Sequence, residues 1–151
     1  MKGPTMHKEN GFTLIEVLIA ILVLSIGLLG VAGLQTTAIR GNTFSRDTTT
    51  GTQLAEEMVE RIRVNALNFP GTYNGIDTSA ACGGVDPVLG DCLQWQAALQ
   101  ASGLPGARGQ VTVVTNTPVN ESTTINVVVS WGTAAPLRSV TFSTIVETWV
   151  S

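Results

Sequence analysis

A chain of 151 residues with 44% hydrophobic and only 13% charged side chains has the size of one domain and is too apolar to stay disordered, and its 16 glycines and 6 prolines follow no collagen-like period. Eight Lys and Arg against eleven Asp and Glu leave a net charge of −3, which offers no Coulombic attraction to a phosphate backbone and argues against nucleic acid as a partner. The mean hydropathy of +0.29 is unevenly spread, with a long uncharged block in the first third and an ordinary polar composition after it.

Val17 to Ile39 carries no formal charge. At ~1.5 Å rise per residue, about 20 apolar residues cross a ~30 Å hydrocarbon core, so this block can span a membrane. Lys2 and Lys8 precede it against Glu9, and the positive-inside rule then places the N-terminus in the cytoplasm. A cleaved secretory signal would have an apolar region of roughly 7–15 residues closed by an A-x-A site; this block is longer and has no such site. Glu16 stands at its edge. A carboxylate in lipid costs at least ~2.5 kcal/mol, so a cation beside it is expected, the alternative being a plain single-pass anchor with Glu16 among the headgroups. Gly27, Gly30 and Gly33 each cost roughly 0.8–1 kcal/mol of helix propensity against Ala, and mark either close helix packing or a stretch that can unwind.

After Arg40, GNTFSRDTTTG is a poor helix former, yet Ala55, Met58, Val59, Ile62 and Ala66 recur at helical spacing, so a helix resumes or continues there. Glu56, Glu57, Glu60, Arg61 and Arg63 then fill its solvated face. A single helix from Phe12 to about Asn65 would approach ~80 Å. Asn68, Pro70, Gly71, Asn74 and Gly75 end it and open a loop to Gly90. That loop leads from Cys82 to Cys92, the only two cysteines. A domain outside the cytoplasm lies in an oxidising space, so the pair is expected as a disulfide, and closing such a loop contributes ~2–3 kcal/mol. Two thiols without His do not make a zinc site, and Asp77, Asp86 and Asp91 match no EF-hand spacing. Asp91-Cys92-Leu93-Gln94 reads as a capping box opening a short helix through Ala101, with Trp95 and Leu99 on one face and Gly103 past its end.

The last forty or so residues change period: Gln110 to Thr115, Thr124 to Trp131 and Ser139 to Val150 are β-branched and alternate, with Ile125, Val127, Val129 and Trp131 on one face. Their connections are too short for helical crossovers, so the sheet is antiparallel, and one sheet face against one amphipathic helix gives a two-layer α+β domain. The Thr-rich alternate face meets solvent or neighbours.

Gly11-Phe12-Thr13-Leu14-Ile15-Glu16-Val17 after a short basic leader resembles the processing site and N-terminal helix of the type IV pilin superfamily. The resemblance implies a leader of residues 1–11, an assembly and transmembrane helix over 12–39 and a periplasmic pilin-like domain over 40–151. It implies cleavage between Gly11 and Phe12 by a prepilin peptidase, N-methylation of Phe12, and pairing of Glu16 with the N-terminal ammonium of a neighbouring subunit. A methylated ammonium and a carboxylate satisfy each other where either alone is costly. Removing Lys2, Lys8 and Glu9 takes the charge from −3 to −4, and with His7 gone the mature chain has neither His nor Lys, which removes most catalytic templates.

Within the superfamily, GFTLIEVLIAILVLSIGLLGVAGLQ, LAEEMVERIRVN, Cys82 and Trp95 before LPGARGQV, and the strand endings INVVVSW and VETWV are similar to the PilV minor pilins, the type IV pilus modification proteins. This implies a non-enzymatic structural subunit without cofactor, metal or small-molecule substrate. Its partners would be the major pilin and other minor pilins, with which it primes assembly near the filament tip. Before assembly it would sit in the bacterial inner membrane. A minor pseudopilin of a type II secretion system shares the same motif. A DNA-uptake role lacks a basic stripe, since Arg40, Arg46, Arg61, Arg63, Arg108 and Arg138 face ten carboxylates. A membrane-tethered periplasmic enzyme or sensor would rely on Asp77, Asp86 and Asp91 with Trp95 as a stacking wall, without a base to activate a nucleophile.

Overall fold

A computed structural model describes residues 11–66, 70–119 and 122–147. Helix α1 runs Leu14–Ala66, a 3-10 turn follows at Pro70–Tyr73, and α2 occupies Val88–Ala101. Strands β1 (Arg108–Thr115), β2 (Ser122–Trp131) and β3 (Arg138–Glu147) form one antiparallel sheet in the order β1-β2-β3. The fold is α+β, a long N-terminal helix packed on a small antiparallel sheet in the pilin-like manner. Contacts divide the chain into two compact units, Met1–Thr43 and Phe44–Ser151. The expected end of β3 at Val150 and the breaker Asn68 lie outside the described residues.

The polar stretch after Arg40 does not interrupt α1. Its hydroxyls turn back onto carbonyls one turn earlier: Thr43 Oγ1 donates to Ile39 O at 3.1 Å, Thr48 to Phe44 O at 2.9 Å, Thr49 to Ser45 O at 3.0 Å and Thr52 to Thr48 O at 2.9 Å. Side chains that would otherwise compete for the backbone are thereby kept within the helix. Beyond Phe44 tertiary packing adds the rest of the stabilisation, as it does for most protein helices. Leu54, Ala55, Met58, Val59 and Ile62 are buried, facing the inner row of the sheet made by Val111, Val113, Ile125, Val127, Val129 and Trp131.

The register pairs Val113 with Ile125 and Val111 with Val127, and Val127 in turn with Phe142, so inward residues form continuous rows across all three strands. The charged face of α1 is exposed at Glu56, Glu57, Glu60 and Arg63, as its pattern predicts, and half-buried at Arg61, while both arginines also reach other elements. Arg63 donates to Thr144 Oγ1 of β3 at 2.8 Å, and Arg61 reaches α2. Long arginine stems lie along the domain and bring their heads to its polar groups.

α2 begins at Val88, a turn ahead of the capping box expected at Asp91. Asp91 is inside the first turn and its carboxylate is engaged elsewhere, whereas Asp86 Oδ1 accepts the Gly90 N–H at 3.2 Å. Val88, Cys92, Trp95 and Leu99 form the buried stripe of α2. Gly103, at φ +77°, follows the helix in the left-handed conformation that glycine adopts without steric cost.

Trp95 fills the space between helix and sheet, fully buried, with Nε1 donating to Leu54 O at 2.9 Å. Its ring lies where a side chain on Gly109 of β1 would be. Gly109→Ala is therefore expected to destabilise by about 1–3 kcal/mol through overpacking, read as a shifted denaturation midpoint of the full chain in detergent. Gly83→Ala, where an added methyl meets nothing within 4 Å, should leave it unchanged. Thr123 Oγ1 is buried without a hydrogen-bond partner, so Thr123→Val should leave stability equal or raised in the same assay.

Candidate processing and assembly site

Gly11, Phe12 and Thr13 precede the first turn of α1. Thr13 O accepts the N–H groups of Glu16 at 3.0 Å and Val17 at 3.3 Å, which makes Thr13 the N-cap. The Thr13-Leu14-Ile15-Glu16 spacing is that of a capping box, a local signal within the motif that the sequence reading passed over. Glu16 is the acidic residue of the first turn, where the partial positive charge of the helix terminus favours a carboxylate. Phe12 and Glu16 are four positions apart and share a face with Val17, Ala20, Ile21 and Leu24, which together line a shallow hollow. Phe12 is 83% exposed.

Every large apolar side chain of α1 between Leu14 and Ile39 is exposed, and an 18-residue window of this part reaches a mean hydropathy of 2.8 with none of it buried. A continuous apolar surface of that length needs lipid or other helices around it. Gly27, Gly30 and Gly33 lie within unbroken helix, and a methyl on any of them would meet nothing within 4 Å. Their small size therefore answers no packing need among the described residues.

Cys82 and Cys92 are joined by a disulfide with S–S 2.01 Å and Cα–Cα 5.8 Å. The bridge ties the loop to the buried stripe of α2, in which Cys92 is 1% exposed. Next to it, Asp91 of α2 collects polar groups from α1 and from the 3-10 turn. Tyr73 Oη donates to Asp91 Oδ2 at 2.6 Å, Asn65 Nδ2 donates to the same oxygen at 2.9 Å, and Arg61 approaches Oδ1 at 3.3 Å. Arg61 also donates to Gln94 Oε1 at 2.7 Å and to Glu57 Oε1 at 2.7 Å. Burial, followed by its hydrogen bond to Asp91, pushes the Tyr73 hydroxyl well above its ordinary range. The Glu57 hydrogen bond is the leading influence that raises the Arg61 guanidinium.

These bonds explain why Asp91 does not cap α2. Neither Tyr73 nor the i, i+30 reach of Arg61 leaves a local sequence signal.

Asp77 and Asp86 face other partners. Asp77 accepts from Ser79 N at 2.8 Å, Ser79 Oγ at 2.6 Å and Gln110 Nε2 at 2.9 Å, and the Ser79 hydroxyl above all holds its carboxyl below the usual range. Among the described residues no three His, Cys, Asp or Glu side chains converge as a metal cluster. Hollows of about 310 and 440 Å³ flank the disulfide loop, one bordered by Asp77 and the other by Asp86, and Trp95 lines neither. The three aspartates thus face separate sets of partners rather than gathering against a stacking wall.

Removing the Asp91 carboxylate takes the acceptor from the Tyr73 hydroxyl and one of two from the Asn65 amide, which keeps Arg61 O at 3.1 Å, and Asp91→Ala is expected to cost about 2–4 kcal/mol in chemical denaturation. For Asp77 the folded carboxyl titrates below its unfolded value, so its stabilisation is complete above the ordinary carboxylate range, near ~4, and is lost as pH falls through the folded value. Asp77→Asn should remove that part of the acid slope, as measured by denaturation at a series of pH values.

Residues 6–32 match the family described as the prokaryotic N-terminal methylation motif. No curated protein and no solved structure matches the chain. The match covers Gly11, Phe12 and Glu16 and extends into the exposed apolar part of α1. The chain thus carries a segment that matches the prokaryotic N-terminal methylation motif at the head of a helix long and apolar enough to cross a membrane.

Proposed function

We propose that the chain is a structural subunit of a type IV pilus, a minor pilin most similar to PilV. In this reading it is cleaved between Gly11 and Phe12 by a prepilin peptidase and methylated on the new N-terminus. The observation that carries it is the methylation motif set directly on an apolar helical segment that is wholly exposed among the described residues. A filament core made of such helices supplies the missing partners: neighbouring apolar faces cover Leu14 to Ile39, and the Phe12 ammonium of one subunit meets Glu16 of another. Catalysis has no role here. Asp91 is held by Tyr73 and Asn65, Asp77 by Ser79 and Gln110, and Asp86 accepts the Gly90 N–H, and after cleavage no His or Lys remains as a base.

The domain then stands in the periplasm until assembly and joins other minor pilins near the tip. Its disulfide-closed loop and the β1–β2 turn are the surface segments on which recognition would depend. A minor pseudopilin of a type II secretion system would use the same motif and helix, and deletion of each assembly machine in turn distinguishes the two by which one retains the subunit.

Intact-mass analysis from cells with and without prepilin peptidase tests the processing step. The expected product begins at Phe12 with one added methyl group only when the peptidase is present; retention of Met1 to Gly11 in both strains would overturn the reading. Glu16→Gln is expected to abolish filament incorporation while cleavage and domain folding persist, as followed by immunoblot of sheared filaments.

A further inference from the structure

Where α1 enters the second compact unit, three side chains form a patch with unused hydrogen-bonding capacity. Arg46 Nη2 lies 3.8 Å from Asp47 Oδ1, and Arg138 Nη1 lies 3.9 Å from Asp47 Oδ2. The two guanidiniums straddle one carboxylate at distances beyond hydrogen bonding, and the trio keeps a net positive charge. Asp47 is only 11% exposed, whereas Arg46 is 77% and Arg138 53% exposed. The Arg138 guanidinium carbon stands 5.2 Å from the centroid of the half-exposed Phe44 ring. Leu137, next along the β2–β3 turn, is also partly exposed.

The position of the patch along the chain selects its partner. Phe44 follows Ile39, the last residue of the uncharged block, by five residues, and five residues of chain reach at most about 17 Å. The headgroup layer beyond the hydrocarbon is about 5–8 Å deep, and charges act across a further ~8 Å at physiological salt. An aromatic ring with exposed arginines at that depth has the chemistry of an interfacial anchor, and guanidinium forks match phosphate oxygens.

We propose that Phe44, Arg46 and Arg138 form a headgroup-binding patch that docks the domain on anionic phospholipid while the subunit awaits assembly. The patch rests on the membrane-spanning reading of α1 but adds to it a lipid preference carried by the domain itself. It would hold the β2–β3 turn against the bilayer, and release of the headgroups would accompany withdrawal of the subunit into a filament.

The test uses the full chain reconstituted in nanodiscs of phosphatidylcholine alone and of equal parts phosphatidylcholine and phosphatidylglycerol. Both carry a trace of headgroup-spin-labelled lipid, and paramagnetic broadening is read at the Leu137 and Arg138 amides. Broadening is expected to rise at least about fivefold with phosphatidylglycerol, the factor one basic side chain contributes at an anionic surface. It should fall back in high salt and in Arg46→Gln/Arg138→Gln, with Arg46→Gln alone giving an intermediate value. Dispersed sheet amides report that each variant is folded, and the salt arm stands without any substitution. Equal broadening in the two discs, or broadening indifferent to salt and to both variants, overturns the patch. An acyl-chain label that fails to broaden Leu14 to Ile39 would overturn the membrane reading and the patch together, whereas broadening there without a phosphatidylglycerol effect sinks the patch alone.

Discussion

The indole of Trp95 is the group on which the domain's layers converge. It projects from α2, donates its only proton to the Leu54 carbonyl of α1, and lies against Gly109 of β1. Each contact constrains a different element: the hydrogen bond fixes how far along α1 the second helix sits, and the missing side chain at Gly109 sets how closely the sheet approaches. Full burial of so large a ring makes the arrangement sensitive to small changes in volume, because cores are packed at crystal-like density. Trp131, the last residue of β2, has its ring against Gly51 of α1. Two tryptophans opposite two glycines thus set the separation of helix and sheet.

The first part of α1 follows another rule. There the apolar side chains have no core to enter, and the helix is held by its own backbone and by hydroxyls such as Ser25, which donates to Ile21 O at 2.7 Å. In lipid this is sufficient, since a helix satisfies every internal backbone group without water. The three glycines weaken it by roughly 0.8–1 kcal/mol each in an aqueous helix scale, and they make no compensating contact among the described residues. Whatever return they bring has to come from neighbouring helices, as small residues elsewhere let membrane helices approach.

Legibility in the sequence followed the range of the interaction. Period and charge were sufficient for the apolar span, for the buried face Ala55-Met58-Val59-Ile62, and for the inward row Ile125-Val127-Val129-Trp131, because each depends on neighbours in the same element. The GFTLIEV motif is likewise contiguous, and it lies within the residues that match the N-terminal methylation motif. Contacts across elements were hidden. Arg61 and Arg63 have the pattern of a solvated helix face, yet they bridge to α2 and β3. Asp91 has the pattern of a cap, yet Tyr73, Asn65 and Arg61 claim it, and α2 starts one turn earlier. In both cases a polar side chain met a long-range partner that outweighed its local preference. The Thr-rich segment after Arg40 is the opposite case, with local hydroxyl-to-carbonyl bonds keeping a poor helix former helical.

The loop between α1 and β1 also governs the sheet's edges. Gly75 N donates to Val111 O, Val111 N to Ile76 O, and Thr78 N to Gly109 O, so residues 75–78 run along β1 and occupy its outer edge. Gln110 Nε2 adds a bond to Asp77. Anchoring that segment requires both ends of the loop to be fixed, one by Tyr73 on Asp91 and the other by the disulfide to α2. Among the described residues β3 pairs only with β2, so the coverage is one-sided. An open edge invites pairing with another chain unless it is kept short or polar. β3 starts with Arg138 and places Ser139, Thr141, Ser143 and, near its end, Ile145 on its exposed face, so most of the surface met by a strand arriving from outside is polar. The loop that is closed by the cysteines thus protects one edge by bonding it, while the other edge relies on its composition.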